Sequence, residues 1–180
     1  EVPVDAEVVD LSYSGLDRLP SGLGPALRRL YLPGNALEKL PISAFVVAPR
    51  LCELDLSGNH LVELPPLGSL RQLRKLYLSH NCLASLPPCL FRPSPDGLPA
   101  DLRELWCEHN ALVELPADFR GCPRLVQVLA GWNRLESLPT LWPRHLQQLL
   151  VQHNSLGEVP AALCRGLPSL TCLAVRAQVL

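Results

Sequence analysis

The sequence contains no methionine and few aromatic side chains. Aromatic residues make up 5% of the 180 residues, whereas 48% of the residues are hydrophobic. A core of this composition has to be built from leucine and other aliphatic side chains. No apolar run approaches the roughly 18 residues that a membrane-spanning helix needs, so no membrane span is expected.

An excess of one charge sign is also missing. Sixteen Lys and Arg residues stand against 17 Asp and Glu residues, which gives a formal net charge of −1. A strongly basic footprint for nucleic acid is therefore absent, and no nucleic-acid partner is expected. The sequence has no Gly-rich phosphate loop and no HExxH, GxSxG or CxxC motif. We expect no enzymatic activity and no cofactor.

Leucine, by contrast, recurs at fixed intervals. The string LRELWCEHNALVELP runs from Leu102 to Pro116, and near-complete copies start at residues 6, 27, 51, 73, 125 and 146, with a partial copy at 170. Their shared template is LxxLxLxxNxLxxLP. Self-similarity with a period in the low twenties is typical of a solenoid. Below, positions within each coil are counted from the first residue of its copy.

The spacing inside one copy predicts a short strand followed by a turn. Positions 4 and 6 are apolar and position 5 is free, which is the alternation of a half-buried strand. Position 9 is asparagine in six copies (Asn35, Asn59, Asn81, Asn110, Asn133 and Asn154) and Ser14 in the first. A carboxamide both donates and accepts hydrogen bonds. We therefore expect a column of asparagines that satisfies backbone groups of adjacent coils.

These motifs resemble the leucine-rich repeat family, with about seven repeats plus a partial eighth. The LxxLP ending is similar to that of the intracellular type, such as the scaffolds of Ras-pathway signalling. The coils of about 21 residues with Pro-rich ends are also similar to bacterial effector ubiquitin ligases. The resemblance implies an α/β solenoid over one domain, residues 1–180. We expect it to be right-handed and curved, with a concave parallel β-sheet and a mostly irregular or 3₁₀ convex side.

The cysteines indicate a cytoplasmic location. Extracellular members of the family resemble one another in Cys-rich flanking caps, which are not recognisable here, and no Asn-x-Ser/Thr sequon occurs. The seven cysteines are scattered and odd in number, at residues 52, 82, 89, 107, 122, 164 and 172. We interpret them as reduced thiols, with Cys107 serving as a small hydrophobic residue at position 6.

The outward-facing strand positions form the candidate partner-binding surface. Position 5 carries Tyr31, Tyr77, Trp106, Leu129 and Leu150, and position 8 carries His80, His109, Trp132 and His153. Our hypothesis is that Tyr77, Trp106, Leu129, Trp132 and Leu150 form one apolar patch rimmed by the three histidines. Large apolar patches usually mark partner sites. The alternative is that these side chains only shield the sheet or pack against a flanking segment.

Other features have less specific interpretations. His80 and His109, with Glu108 nearby, could together bind a transition metal, but solvated corner residues are the simpler interpretation and no metal site is predicted. Residues 91–101 (FRPSPDGLPAD) read as an exposed loop. Acidic residues recur at position 12 or 13 and predict a solvated rim: Asp17, Glu38, Glu63, Glu114, Glu136 and Glu158.

Two functions of different classes follow. The first is a cytoplasmic scaffold that binds a protein on its concave face. The second is a recognition or regulatory module of a larger signalling enzyme or ubiquitin ligase. Since terminal repeats normally need a polar outer face, we also expect the chain to continue beyond Leu180 or to associate there with another molecule.

Overall fold

The structure is a computed structural model that describes residues 2–87, 101–157, 163 and 166–175. It contains eight strands of three residues each, one per coil. They are β1 (Val8–Asp10), β2 (Arg29–Tyr31), β3 (Glu53–Asp55), β4 (Lys75–Tyr77), β5 (Glu104–Trp106), β6 (Gln127–Leu129), β7 (Gln148–Leu150) and β8 (Cys172–Ala174). All pair in parallel, in sequence order, in one sheet. The solenoid predicted from the repeats is confirmed.

The register of the sheet follows the repeat without a slip. Leu54 of β3 pairs with Leu30 of β2 and with Leu76 of β4, and the same position-4 pairing holds from β1 to β8. The position-4 side chains point into the solenoid. They are buried in β1 to β7, while Leu173 of β8 is 36% exposed.

Leucine columns build most of the core. In the coil that starts at residue 51, the leucines at positions 1, 4, 6 and 11 are all fully buried. Phe45, Phe119 and Trp142 fill the space between the strands and the far side. Between the strands, the described residues form turns and irregular backbone, with helical residues only at Leu163 and Gly166. The short 3₁₀ pieces expected there do not occur among the described residues.

The asparagine column forms as predicted. The Nδ2 group of Asn59 donates to the carbonyl of Leu32 in the preceding coil at 3.0 Å and to that of Leu56 in its own coil at 2.9 Å. Its Oδ1 accepts from the backbone N–H of Leu37 at 3.1 Å. Equivalent bonds are made by the other position-9 asparagines. Ser14 instead occupies the position in the first coil, where its N–H donates to Asn35.

Several predictions fall outside the described residues. These concern residues 91–100 of the long loop, Glu158, Cys89, Cys164 and the end of the chain. The remaining members of the acidic stripe are exposed. The assignment of residues 1–180 to one domain stays a prediction.

Candidate functional site

The position-5 side chains line the outer face of the sheet in one row. The rings of Tyr77 and Trp106 meet edge to face, with centroids 4.8 Å apart. The indole N–H of Trp106 donates to Oε1 of Gln127 at 3.3 Å, and the Tyr77 hydroxyl donates to Oε2 of Glu104 at 3.1 Å. Trp106 therefore faces away from the core, as predicted, and neighbouring strands fix its orientation.

Burial differs along this row. Tyr31, Tyr77, Trp106 and Leu150 are half-buried. Leu129 is only 8% exposed, because Trp106 and Leu150 lie beside it on the adjacent strands. Leu129 thus offers little surface to a partner, although the sequence analysis placed it among the binding residues of the patch.

Burial and neighbouring charges disfavour ionisation of the Tyr77 hydroxyl. Burial, the charge of Glu104 and the hydrogen bond to that carboxylate raise the pKa of Tyr77 well above its usual value. Lys75 pairs with the same carboxylate at 3.4 Å. Tyr77, neutral at physiological pH like any phenol, therefore stays a hydrogen-bond donor to more alkaline pH.

A second row consists of stacked rings at position 8. The centroids of His80 and His109 are 4.3 Å apart with planes 10° from parallel. Trp132 lies 4.7 Å from His109 on one side and 4.7 Å from His153 on the other. All four side chains are exposed, Trp132 by 41%. We call these four residues the ring column.

The backbone places the ring column. Every member has a left-handed φ, between 51° and 58°. Gly34 and Gly58 occupy the same position in earlier coils, with φ of 65° and 63°, and Tyr13 does so in the first. A non-glycine residue in this region is uncommon; histidine is among the residue types enriched there, whereas a bulky residue such as tryptophan is exceptional. The position is thus set by the turn that leaves the strand. The two glycines were the sequence signal for this turn.

The imidazole of His109 is shifted toward its neutral form. Burial between its neighbours and the positive charge that His80 would carry lower its pKa, although Glu108 acts in the opposite direction. The stacked geometry turns ring faces, rather than nitrogen lone pairs, toward one another. Within the described part of the chain, no group of three or more His, Cys, Asp or Glu side chains is placed to hold a metal ion.

The structure divides the hypothesised patch into these two rows. It brings Tyr77 and Trp106 into contact on the strands, but it stacks Trp132 between histidines at the turn. The histidines are members of the ring column rather than a rim around an apolar patch. The repeat template located both rows, at positions 5 and 8, but it could not show which side chains touch.

One cluster was missed by the sequence analysis. Asp101, which immediately precedes the coil starting at Leu102, accepts hydrogen bonds from Arg74 at 2.9 Å and Arg124 at 2.7 Å, and Arg103 lies 3.7 Å away. Burial alone would raise the pKa of this carboxyl, but the arginines outweigh burial and lower its pKa. These four residues lie just before three successive strands, β4, β5 and β6, so no local motif marks them.

The cysteines show buried and exposed thiols. Among those the structure describes, Cys52, Cys82, Cys107 and Cys172 form no disulfide. Cys107 is fully buried at position 6, as predicted, and burial raises the pKa of its thiol. Burial likewise raises the pKa of Cys122 to about 12.

Comparison with known proteins agrees with this architecture. The family model for the leucine rich repeat matches residues 25–83. Pig (Sus scrofa) fibromodulin is 35% identical over 127 residues, which cover 69% of this chain and 81% of the fibromodulin sequence compared. The chain belongs to the leucine-rich repeat family. Human podocan-like protein 1 is 33% identical over 175 residues, 92% of this chain but 28% of that protein.

Solved structures give the same result. In the PEPR1–AtPEP1 crystal structure, a leucine-rich repeat fold aligns with a TM-score of 0.75 and 28% identity, covering 89% of this chain and 23% of that one. A leucine-rich repeat protein of Leptospira interrogans aligns with a TM-score of 0.61 and 25% identity over 89% of this chain and 46% of its own. This leucine-rich repeat chain spans about a third or less of the podocan relatives that it matches.

The relatives correct the predicted location. Podocan and fibromodulin are secreted proteins of the extracellular matrix, so the cytoplasmic location predicted for this leucine-rich repeat chain is wrong. Resemblance to the intracellular type is likewise not confirmed. The relatives are not enzymes, and the alternative of a module from a signalling enzyme or ubiquitin ligase draws no support from them. No helix among the described residues has the length and apolar character to cross a membrane.

Proposed function

We propose that the chain is a protein-binding scaffold. Its partner docks on the solvent-facing side of the sheet, the face predicted to be concave, across β4 to β7. The observation that carries this proposal is the ring column, because it places four stacked, exposed rings next to one another in successive coils. Leucine-rich repeat proteins generally mediate protein–protein interaction. The solved structure of PEPR1 that resembles this chain is a complex with AtPEP1.

The two rows offer a rigid contact surface. Stacking fixes the rings of the ring column, and hydrogen bonds fix Tyr77 and Trp106, so few rotamers remain to be lost on binding. Trp and Tyr are the residues that most often dominate binding energy at interfaces. The strand row supplies half-buried aromatic surface, and the ring column supplies exposed surface beside it.

The test starts with the intact chain as bait. Proteins that it retains are identified, and the affinity of the tightest binder is measured by calorimetry. Trp132→Ala and Trp106→Ala should each weaken binding by about 2 kcal/mol. Val113→Ala is the control, since Val113 is 49% exposed but lies outside both rows.

Folding is checked separately for each variant by circular dichroism. If both tryptophan variants fold and bind as tightly as the parent, the partner uses another surface and the proposal is wrong. If Val113→Ala weakens binding equally, the effect is not specific to the two rows.

We further propose that the protein acts outside the cell. The support is its similarity to podocan and fibromodulin. Antibodies raised against the chain should detect the native protein in culture medium or deposited matrix rather than in the cytosolic fraction. Exclusive recovery from cytosol would contradict this location.

A further inference from the structure

A basic edge runs beside the strands, away from the ring column. Arg74, Arg103 and Arg124 converge on Asp101, and all three guanidinium groups remain largely exposed. Asp101 itself is 15% exposed. One carboxylate cannot neutralise three guanidinium groups, so this cluster keeps a positive charge.

A pocket of about 280 Å³ continues this edge toward the next coil. Arg120, Arg144 and His145 line it together with Pro123, Trp142 and Pro143. Pro123 directly precedes Arg124, which joins the pocket to the Asp101 cluster. Arg124 and His145 also occupy the same place in their coils, the residue just before position 1. The cluster and the pocket therefore lie next to each other on the same edge.

The charge of this surface is opposite to that of the chain. It gathers five arginines, at 74, 103, 120, 124 and 144, against Asp101 and Asp118, a local formal charge of +3 in a chain of net charge −1. Glu104, which follows Arg103 and begins β5, is already paired with Lys75. The edge runs beside the starts of four strands, β4 to β7, which is about 15 Å at the usual strand spacing.

We propose that this edge binds a linear sulfated polysaccharide. Guanidinium groups present paired N–H donors that match the oxygens of a sulfate. Successive coils supply arginines about 5 Å apart, which suits a polymer that carries repeated charges. The apolar walls of the pocket give a sugar ring a surface on which to pack beside Arg120 and Arg144. Such polymers are matrix components, in keeping with the matrix relatives.

The experiment measures binding of size-defined heparin to the intact chain by calorimetry, with chemically desulfated heparin as the second ligand. Arg124→Gln with Arg144→Gln should weaken heparin binding about tenfold, since two charged donors are lost. The double variant should fold, because Asp101 keeps Arg74 and Arg103. Arg134→Gln, an exposed arginine outside the edge, is the matched control and should change affinity less than about twofold.

Several outcomes decide the matter. Heparin binding should fall steeply as salt concentration rises. Desulfated heparin should bind at least about tenfold more weakly than heparin. The charge-conserving pair Arg124→Lys and Arg144→Lys should give an intermediate loss, because the charge stays while the paired donors go.

The proposal is wrong if desulfated heparin binds as tightly as heparin, or if the Arg124→Gln and Arg144→Gln double variant binds heparin as tightly as the parent. It is also wrong if Arg134→Gln weakens heparin binding as much as the double variant does. Single-stranded DNA that binds as tightly as heparin of equal charge would overturn it too, since the edge would then be a general polyanion site. Trp132→Ala should leave heparin binding intact, which separates this site from the proposed protein-binding rows.

Discussion

The three tryptophans show how place in the coil sets the role of a residue. Trp142 is buried, stacks on Phe119 at 4.8 Å and donates its indole N–H to the carbonyl of Pro139 at 2.7 Å. Trp106 is half-buried on the sheet and satisfied by Gln127. Trp132 lies in solvent within the ring column. One residue type therefore serves as core, as shielded surface and as exposed surface.

Alanine substitution should separate these roles. Trp142→Ala removes a buried ring and should lower the free energy of unfolding by about 3–5 kcal/mol. Trp132→Ala removes only exposed stacking and should cost about 1 kcal/mol or less, with Trp106→Ala between them. Urea unfolding monitored by circular dichroism measures the order. A Trp106 variant as unstable as the Trp142 variant would place Trp106 in the core.

The pKa of His109 should lie below its ordinary value of about 6.5, because burial and His80 disfavour its protonated form. NMR titration of the folded chain measures it directly. His80→Gln removes the neighbouring charge and should raise the pKa of His109. If the pKa of His109 does not move in that variant, burial and His153 rather than His80 lower it.

The same shift has a consequence for stability. A histidine whose pKa is lower in the folded state binds fewer protons there than in the unfolded state. As pH falls through about 6.5, the unfolded state gains protons first, so this group makes the fold less stable on acidification. The His80→Gln variant should show a smaller contribution from His109.

At the scale of one coil, the turn after the strand imposes a left-handed residue at position 8. Hydrogen bonds to neighbouring coils fix the turn and so hold histidine and tryptophan in this conformation. For example, the backbone N–H of His80 donates to the carbonyl of Glu108 at 2.9 Å, and that of Trp132 donates to Gln152 at 2.9 Å. Stacking between successive rings then offsets part of the backbone strain.

Glycine should therefore be better tolerated than alanine at this position. Trp132→Gly and Trp132→Ala both remove the ring, but only glycine adopts a φ of 51° without a steric penalty. We expect the glycine variant to be more stable by up to about 1 kcal/mol, the reverse of the usual order. Urea denaturation of the two variants tests this. A more stable alanine variant would mean that the turn relaxes.

The asparagine column is the second coil-scale device. Asn59 is 3% exposed, and Asn59→Ala would leave the N–H of Leu37 and the carbonyls of Leu32 and Leu56 without this partner. The loss should be about 1–3 kcal/mol. Ser14→Ala should cost less, because the Ser14 hydroxyl makes an exposed bond to Ser12. Equal melting temperatures for Asn59→Ala and the parent would contradict the role of the column.

The coil is also the scale at which the sequence was most informative. Position 4 lies at the centre of each strand, and position 9 carries the asparagine bonds in six coils, so repetition reveals the strands, the register and those bonds. Contacts that occur once are not repeated, and the convergence of Arg74 and Arg124 on Asp101 is of this kind. The stacking of the ring column depends on a left-handed φ at position 8. Gly34 and Gly58, at the same position in earlier coils, are the sequence feature that could have predicted this conformation.

At the scale of the whole molecule, eight parallel strands in sequence order make a nearly one-dimensional object. Each coil contacts its neighbours, so surfaces on different edges can serve different partners. The fold forms on either side of a membrane, which is why the repeats predicted the architecture correctly but not the location. The location was predicted from the scattered cysteines and from flanking caps that are not recognisable, and the secreted relatives contradict that prediction.

The hydrogen bonds of the asparagines give the stack a direction. Asn35, Asn59 and Asn81 each bond to their own coil and to the coil before. Each coil thus depends on its successor for completion, as the N–H of Leu61 depends on Asn81. The two faces of a coil are therefore chemically unlike. A segment that packs against the first coil of a stack need not supply a carboxamide oxygen. A segment that packs against the last coil must supply one, because each coil receives this acceptor from the coil after it.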